Sequence, residues 1–129
     1  MLLLTGCGGG RGGNFDLDIP GGYSILSTSV DQVTISPKIN NTNWENYVIP
    51  PKVIEVAWDD NYILAKQLGL EYVSNNSYQT PNKDDVNFWI LEIIDDNVYG
   101  PFNEVDFVKK KAELGISESV RLKKIEDLE

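Results

Sequence analysis

Two stretches of this chain share one order of residues, and they constrain its fold more than any other feature. Each runs from a β-branched and aromatic segment, residues 53–58 or 88–94, into an Asp-Asp-Asn tripeptide and then into a second apolar segment. Asp and Asn suit chain reversals because their side chains hydrogen-bond to nearby backbone and because Asn tolerates the left-handed conformation. The pattern predicts two β-hairpins. Little else aligns across the 36-residue spacing, so we interpret the similarity as shared turn chemistry and not as a repeat.

The clearest helical signal follows the second hairpin. Asn103 suits the N-cap position, and Phe102 and Phe107 occupy the two positions of a hydrophobic staple. Gly115 can end the helix, because glycine adopts the left-handed conformation of a C-terminal cap without strain. These signals predict one helix over residues 103–114, packed on a face of the sheet.

The first part of the chain favours strands. Residues 15–37 combine alternating and β-branched segments with a Pro-Gly-Gly turn at residues 20–22, which predicts strand, turn and strand. We therefore expect an α+β fold, a mostly antiparallel β-sheet of about 5–7 strands with the C-terminal helix packed on it. Residues 15–129 are expected to form a single globular domain.

Three segments have weaker signals. Residues 40–51 and 72–86 are rich in polar residues and proline, so they are expected to be surface loops. Residues 116–129 fit either a short helix or an edge strand, and we interpret them as a loosely packed tail.

Composition excludes several classes of function. The chain has 129 residues, 41% of them hydrophobic, which is enough for one core. A net charge of −9 disfavours nucleic acid, because phosphate binding needs clustered Lys and Arg. The chain has no His and one Cys, and it lacks a Gly-x-Ser-x-Gly motif. We therefore expect neither an enzyme nor a bound cofactor.

The start of the chain carries a motif for lipid attachment. In Leu4-Thr5-Gly6-Cys7 an apolar, a small and a glycine residue precede the lone cysteine, and a glycine-rich stretch follows at residues 8–13. This order resembles the lipobox of bacterial lipoprotein precursors. With its predicted strands and the Gly-Pro before the helix, the chain resembles small uncharacterised lipoproteins of Gram-positive, Bacillus-type bacteria. A secretory signal has a basic start and roughly 7–15 apolar residues, so we interpret residues 1–6 as the remnant of a longer signal peptide.

The resemblance implies a lipid-anchored protein at the extracytoplasmic face of the cell membrane. Cys7 would carry the lipid, and residues 7–14 would form the lipidated cysteine and its tether. Two acyl chains hold a protein stably on a membrane, so no transmembrane helix is needed. A glycine-rich tether of about seven residues reaches roughly 15 Å, which keeps the domain close to the membrane.

The two acidic turns are weak candidates for a metal site. Asp59, Asp60, Asp95 and Asp96 offer the oxygen ligands that Ca²⁺ or Mg²⁺ prefers. Their spacing does not match an EF-hand loop, which needs alternating oxygen ligands, a central Gly and a late Glu. We interpret them as solvated hairpin turns and expect no metal.

Aromatic residues outside the best strands are the candidates for an interaction surface: Trp44, Tyr47, Tyr72 and Tyr78. Aromatic side chains are enriched at the cores of protein interfaces. The chain is therefore expected to be a protein-binding module with an envelope protein as its partner. The alternative is a lipoprotein that binds a small ligand or a divalent metal ion.

Overall fold

The computed structural model describes residues 15–73 and 78–128. Within these ranges the chain forms nine strands in two antiparallel sheets and one α-helix. The mostly antiparallel fold with one helix is confirmed, but the expected number of strands was too low. In chain order the elements are β1 (Phe15–Ile19), β2 (Tyr23–Ser27), β3 (Val33–Asn40), β4 (Asn43–Trp44), β5 (Val53–Trp58), β6 (Tyr62–Tyr72), β7 (Gln79–Glu92), β8 (Asn97–Phe102), α1 (Glu104–Glu113) and β9 (Lys123–Lys124), followed by a 3₁₀ turn at Ile125–Asp127.

The strands divide into a small and a large sheet. The small sheet has the order β1-β2-β3-β4, and the large sheet has the order β8-β7-β6-β5-β9. Within each sheet consecutive strands are neighbours except for β9, which returns from the C-terminal segment to pair with β5. Both predicted hairpins are present, one joining β5 to β6 and the other joining β7 to β8.

Residues 72–86 are strand over most of their length, so the predicted surface loop was wrong. Strand β6 continues to Tyr72 and β7 begins at Gln79, and ladder pairs such as Leu70 with Pro81 extend the hairpin. Polar side chains are compatible with this conformation because this part of the hairpin is largely exposed, with Lys83 among its exposed residues. Backbone pairing with β6 therefore decides the structure here.

The first core lies between the two sheets. Ile25 and Ile35 from the small sheet meet Ile63 and Leu91 from the large sheet, and all four side chains are fully buried. Ile125 from the 3₁₀ turn joins the same core. The C-terminal segment is thus packed against the sheets, and its interpretation as a loose tail was wrong.

A second core covers the opposite face of the large sheet. Leu64 and Ile90 alternate with the residues of the first core, so β6 and β7 are buried on both faces. The sequences of strands that are buried on both faces are typically continuous apolar runs. Phe107 of α1 enters the second core and stacks on Phe88, with ring centroids 4.7 Å apart. The helix therefore covers one face of the large sheet, as expected.

The ends of α1 follow the predicted capping. The Asn103 side-chain oxygen accepts a hydrogen bond of 2.8 Å from the backbone N–H of Asp106. At the other end Leu114 is the C-cap, and Gly115 follows with a φ of +71°. No helix in residues 15–73 or 78–128 is long and apolar enough to cross a membrane.

The β1–β2 turn fixes the small sheet against the large one. Gly21 has a φ of +87°, and a Cβ atom at this position would lie 2.6 Å from Cγ2 of Ile93. Glycine is required there both for the backbone conformation and for the close approach.

Candidate functional site

The most exposed aromatic residues lie at the far end of the β6–β7 hairpin. Tyr72 and Tyr78 are 71% and 75% exposed, and Val73 between them in the chain is also exposed. The backbone N–H of Val73 donates to the carbonyl oxygen of Tyr78 at 3.0 Å, and Tyr72 lies opposite Gln79, so the three residues are neighbours along the backbone of the hairpin. We call Tyr72, Val73 and Tyr78 the hairpin-end patch.

Of the other two predicted aromatic residues, Trp44 lies in β4 of the small sheet and Tyr47 lies in the segment that follows β4. Trp44 forms β4 and pairs with Lys38, whose ammonium lies 5.6 Å from the centre of its indole ring. The indole Nε1 is buried without a hydrogen-bond partner among the described residues. Tyr47 follows on the same edge and is half exposed, at 54%.

The four predicted aromatic residues do not form one surface. The hairpin-end patch lies near the start of β3, because Gln32 Nε2 donates to Gln79 Oε1 at 3.5 Å. Trp44 lies beside Lys38, near the other end of β3. Six residues of strand separate Gln32 from Lys38, which is about 20 Å at roughly 3.3 Å per residue. The prediction thus named two separate exposed regions.

The two acidic turns meet at one end of the large sheet, where the backbone N–H of Ile93 donates to the carbonyl oxygen of Asn61 at 2.9 Å. Asp59 Oδ1 accepts hydrogen bonds of 2.8 Å from the backbone N–H groups of Asn61 and Tyr62, which stabilises its turn. Asp96 adopts a left-handed φ of +55° and accepts a hydrogen bond from the Tyr23 hydroxyl.

Within residues 15–73 and 78–128 no group of three or more His, Cys, Asp or Glu side chains is placed to hold a metal ion. Asp60 and Asp95, the other two weak metal candidates, are exposed. Asp59 and Asp96 thus have structural roles in their turns.

The contact between Tyr23 and Asp96 joins the small sheet to the β7–β8 turn. Burial raises the pKa of the Tyr23 phenol above its usual value, and the hydrogen bond to the Asp96 carboxylate raises it further. The folded protein therefore favours the protonated phenol. The contribution of Tyr23 to the unfolding free energy is complete below the unfolded-state pKa of tyrosine, which is about 10, and it declines as the pH rises above that value.

This linkage predicts a pH-dependent effect of Tyr23→Phe. At pH 8 the variant is expected to lose about 1–2 kcal/mol of unfolding free energy, because the hydrogen bond to a charged acceptor is lost. Near pH 11 the difference from the wild type should shrink, because an unfolded tyrosine ionises more readily than the folded one. Urea titrations at the two pH values measure the difference in unfolding free energy between the variant and the wild type, with Tyr47→Phe as an exposed control. An equal difference at both pH values would contradict the linkage.

Comparison with protein-family models assigns the chain to a family. A family model described as "Protein of unknown function (DUF3997)" matches residues 20–126. The chain belongs to the DUF3997 family. No curated protein and no solved structure matches the chain. The match begins at Pro20, so most of the DUF3997 chain's two sheets and its helix lie within it, whereas Cys7 does not. Cys7 also lies outside the described residues, and its lipidation stays a prediction.

Sequence reasoning missed one buried polar network in the DUF3997 domain. Gln67 is 4% exposed, and its Nε2 donates to the carbonyl oxygen of Pro51 at 2.7 Å. Its Oε1 accepts a hydrogen bond of 2.9 Å from the indole Nε1 of Trp89. The network connects the segment before β5 to β6 and β7. Gln67 stands between Lys66 and Leu68 in the sequence, and neither of its main partners, Pro51 and Trp89, is a neighbour along the chain.

Proposed function

We propose that the DUF3997 chain is an interaction module that binds a protein partner at the cell envelope through the hairpin-end patch. The observation that carries this proposal is the exposure of Tyr72 and Tyr78, which lie on neighbouring backbone pairs at the end of the longest hairpin. Single exposed apolar residues are ordinary on protein surfaces, whereas extended exposed apolar patches mark interaction sites. Tyrosine supplies a large contact area at a low cost in side-chain entropy.

The proposal also assigns a place to the domain. A lipid on Cys7 would hold it at the extracytoplasmic face of the cell membrane, and the lipobox order of residues 4–7 supports this assignment. The glycine-rich residues 8–13 would then keep the domain within roughly 15 Å of the bilayer. The net charge of −9 favours a domain that does not lie flat on anionic lipid. The patch is accordingly expected to meet a partner that also lies near the membrane.

Site-specific cross-linking tests the patch. A photoreactive amino acid in place of Tyr72 is expected to capture one discrete protein in the living bacterium. The same amino acid in place of Tyr47, which is also exposed but lies in the segment after β4, is the matched control and is expected to capture none. The reason for the difference is that a bound partner covers the hairpin-end patch and not the edge beside β4.

Competition makes the result specific. Purified domain with both tyrosines should suppress the cross-link, whereas a competitor carrying Tyr72→Ser and Tyr78→Ser should not. A thermal melt of that competitor establishes that it is folded. The absence of a discrete product at position 72, or the same product from positions 72 and 47, would overturn the proposal.

A further inference from the structure

A groove opens at the edge of the large sheet where β9 ends. Strand β9 pairs with Glu55 and Val56 of β5 and goes no further, so Ala57 and Trp58 have no β9 partner. Residues of the C-terminal segment and of this edge together line an open cavity of about 220 Å³. We call it the β5-edge groove, and its lining residues are Val56, Ala57, Trp58, Ser119, Val120, Arg121, Lys123 and Leu128.

The charge of this groove is opposite to that of the protein. Among the described residues its lining includes the cations of Arg121 and Lys123 and no carboxylate, although the chain as a whole has 20 acidic and 11 basic residues. Among the described residues, ion pairs involve Lys38, Lys52, Lys66 and Lys110, and neither Arg121 nor Lys123 takes part in one. The two cations are therefore available to an anion.

Arg121 keeps most of its hydrogen-bonding capacity. Its Nε donates to the carbonyl oxygen of Glu118 at 3.4 Å, which holds the side chain beside the groove. A guanidinium has five N–H donors in a planar fork, so four remain. Such a fork binds a carboxylate through two parallel hydrogen bonds.

The floor of the groove is apolar. Val56, Val120 and Leu128 line it together with Trp58. Sites for small molecules typically combine an apolar lining with a few polar groups that fix the ligand's orientation. Because the cavity is smaller than the roughly 300 Å³ at the lower end of such sites, its occupant must be small.

A second groove on the other side of Arg121 provides a comparison. It is lined by Lys111 and Arg121, but also by Glu104 and Glu118. The two carboxylates of this second groove balance its two cations, so the groove exerts little net electrostatic attraction on an anion. The described lining of the β5-edge groove has no such balance, so of these two grooves it is the one that favours an anion.

We propose that the β5-edge groove binds a small organic carboxylate with an apolar body. In this site the carboxylate lies between Arg121 and Lys123, and the apolar body contacts Trp58 and Leu128. Burial of the body against the indole ring adds to the charge attraction. The site is independent of the hairpin-end patch and of the protein partner proposed for it.

Calorimetry with 2-naphthoate as the probe tests this site. The chain should bind 2-naphthoate, and 2-naphthylmethanol, which has the same ring without the charge, should bind at least about tenfold more weakly. The variant Arg121→Gln/Lys123→Gln should weaken 2-naphthoate binding at least about tenfold. The matched control Lys109→Gln/Lys124→Gln removes the same charge from two exposed lysines outside the groove lining and should bind as the wild type does.

Each other outcome would overturn the proposal. An equal loss of 2-naphthoate affinity in the two double variants would mean that net charge, and not the position of Arg121 and Lys123, determines binding. Equal affinities for 2-naphthoate and 2-naphthylmethanol would mean that Arg121 and Lys123 do not bind the carboxylate. No binding of 2-naphthoate up to about 10 mM would leave no carboxylate site. All four substituted side chains are at least partly exposed, and thermal melts of both variants establish that they are folded.

Discussion

Replacing Phe107 with alanine is expected to lower the unfolding free energy by about 3–5 kcal/mol, as for other buried Phe→Ala changes. Phe107 is 3% exposed and stacks on Phe88 at a centroid distance of 4.7 Å. Among the ten residues of α1 it is the buried one. The substitution therefore removes the main side chain that holds the helix on the large sheet and leaves a cavity in the second core.

Guanidinium chloride titration monitored by circular dichroism measures this loss. Val105→Ala is the matched control, because Val105 lies in the same helix and is 64% exposed. Its effect should stay within about 0.5 kcal/mol, as for other surface substitutions. A loss below about 1 kcal/mol for Phe107→Ala would contradict the packing described for α1.

Local signals in the sequence predicted the local elements of the fold. Asn103 begins the helix as a cap, and the Asp-Asp-Asn tripeptides lie at the two predicted hairpins. Each of these signals acts over a few residues, through side chains that hydrogen-bond to nearby backbone. Such features are visible in a single sequence because both partners of the interaction lie within it.

The arrangement of the sheets depends on distant pairings that no local pattern contains. Strand β9 is two residues long and exists because Lys124 lies opposite Glu55. Strand β4 is equally short and is defined by its pairing with β3. The division into two sheets likewise depends on apolar side chains buried between them. This packing brings Ile35 into one core with residues far along the chain. The strand count was underestimated for this reason.

The candidate sites show the same limit. Tyr47, Tyr72 and Tyr78 were selected as aromatic residues outside the best predicted strands, and all three are exposed, although Tyr72 is the last residue of β6. The sequence did not show that they lie in separate regions of the surface. The β5-edge groove combines Trp58 with residues 119–128, which lie more than sixty positions away. Side chains that converge from such distances become recognisable as a site only in the folded protein.

The claim that the domain acts from a membrane depends on one residue, Cys7. A single acyl chain binds a bilayer marginally, whereas two hold a protein there stably, at about 0.8 kcal/mol for each buried methylene group. The effect of Cys7→Ser is therefore expected to be nearly all or none. Without the thioether-linked lipid, the variant should move from the membrane fraction to the soluble fraction.

Incorporation of radiolabelled palmitate into the full open reading frame, expressed in a bacterium beside Cys7→Ser, tests this claim most directly. We expect label in the membrane-bound wild type, a mass consistent with a mature chain that begins at a lipidated Cys7, and background label in the variant. Unlabelled, soluble wild-type protein that retains Met1 would contradict the proposed membrane anchor.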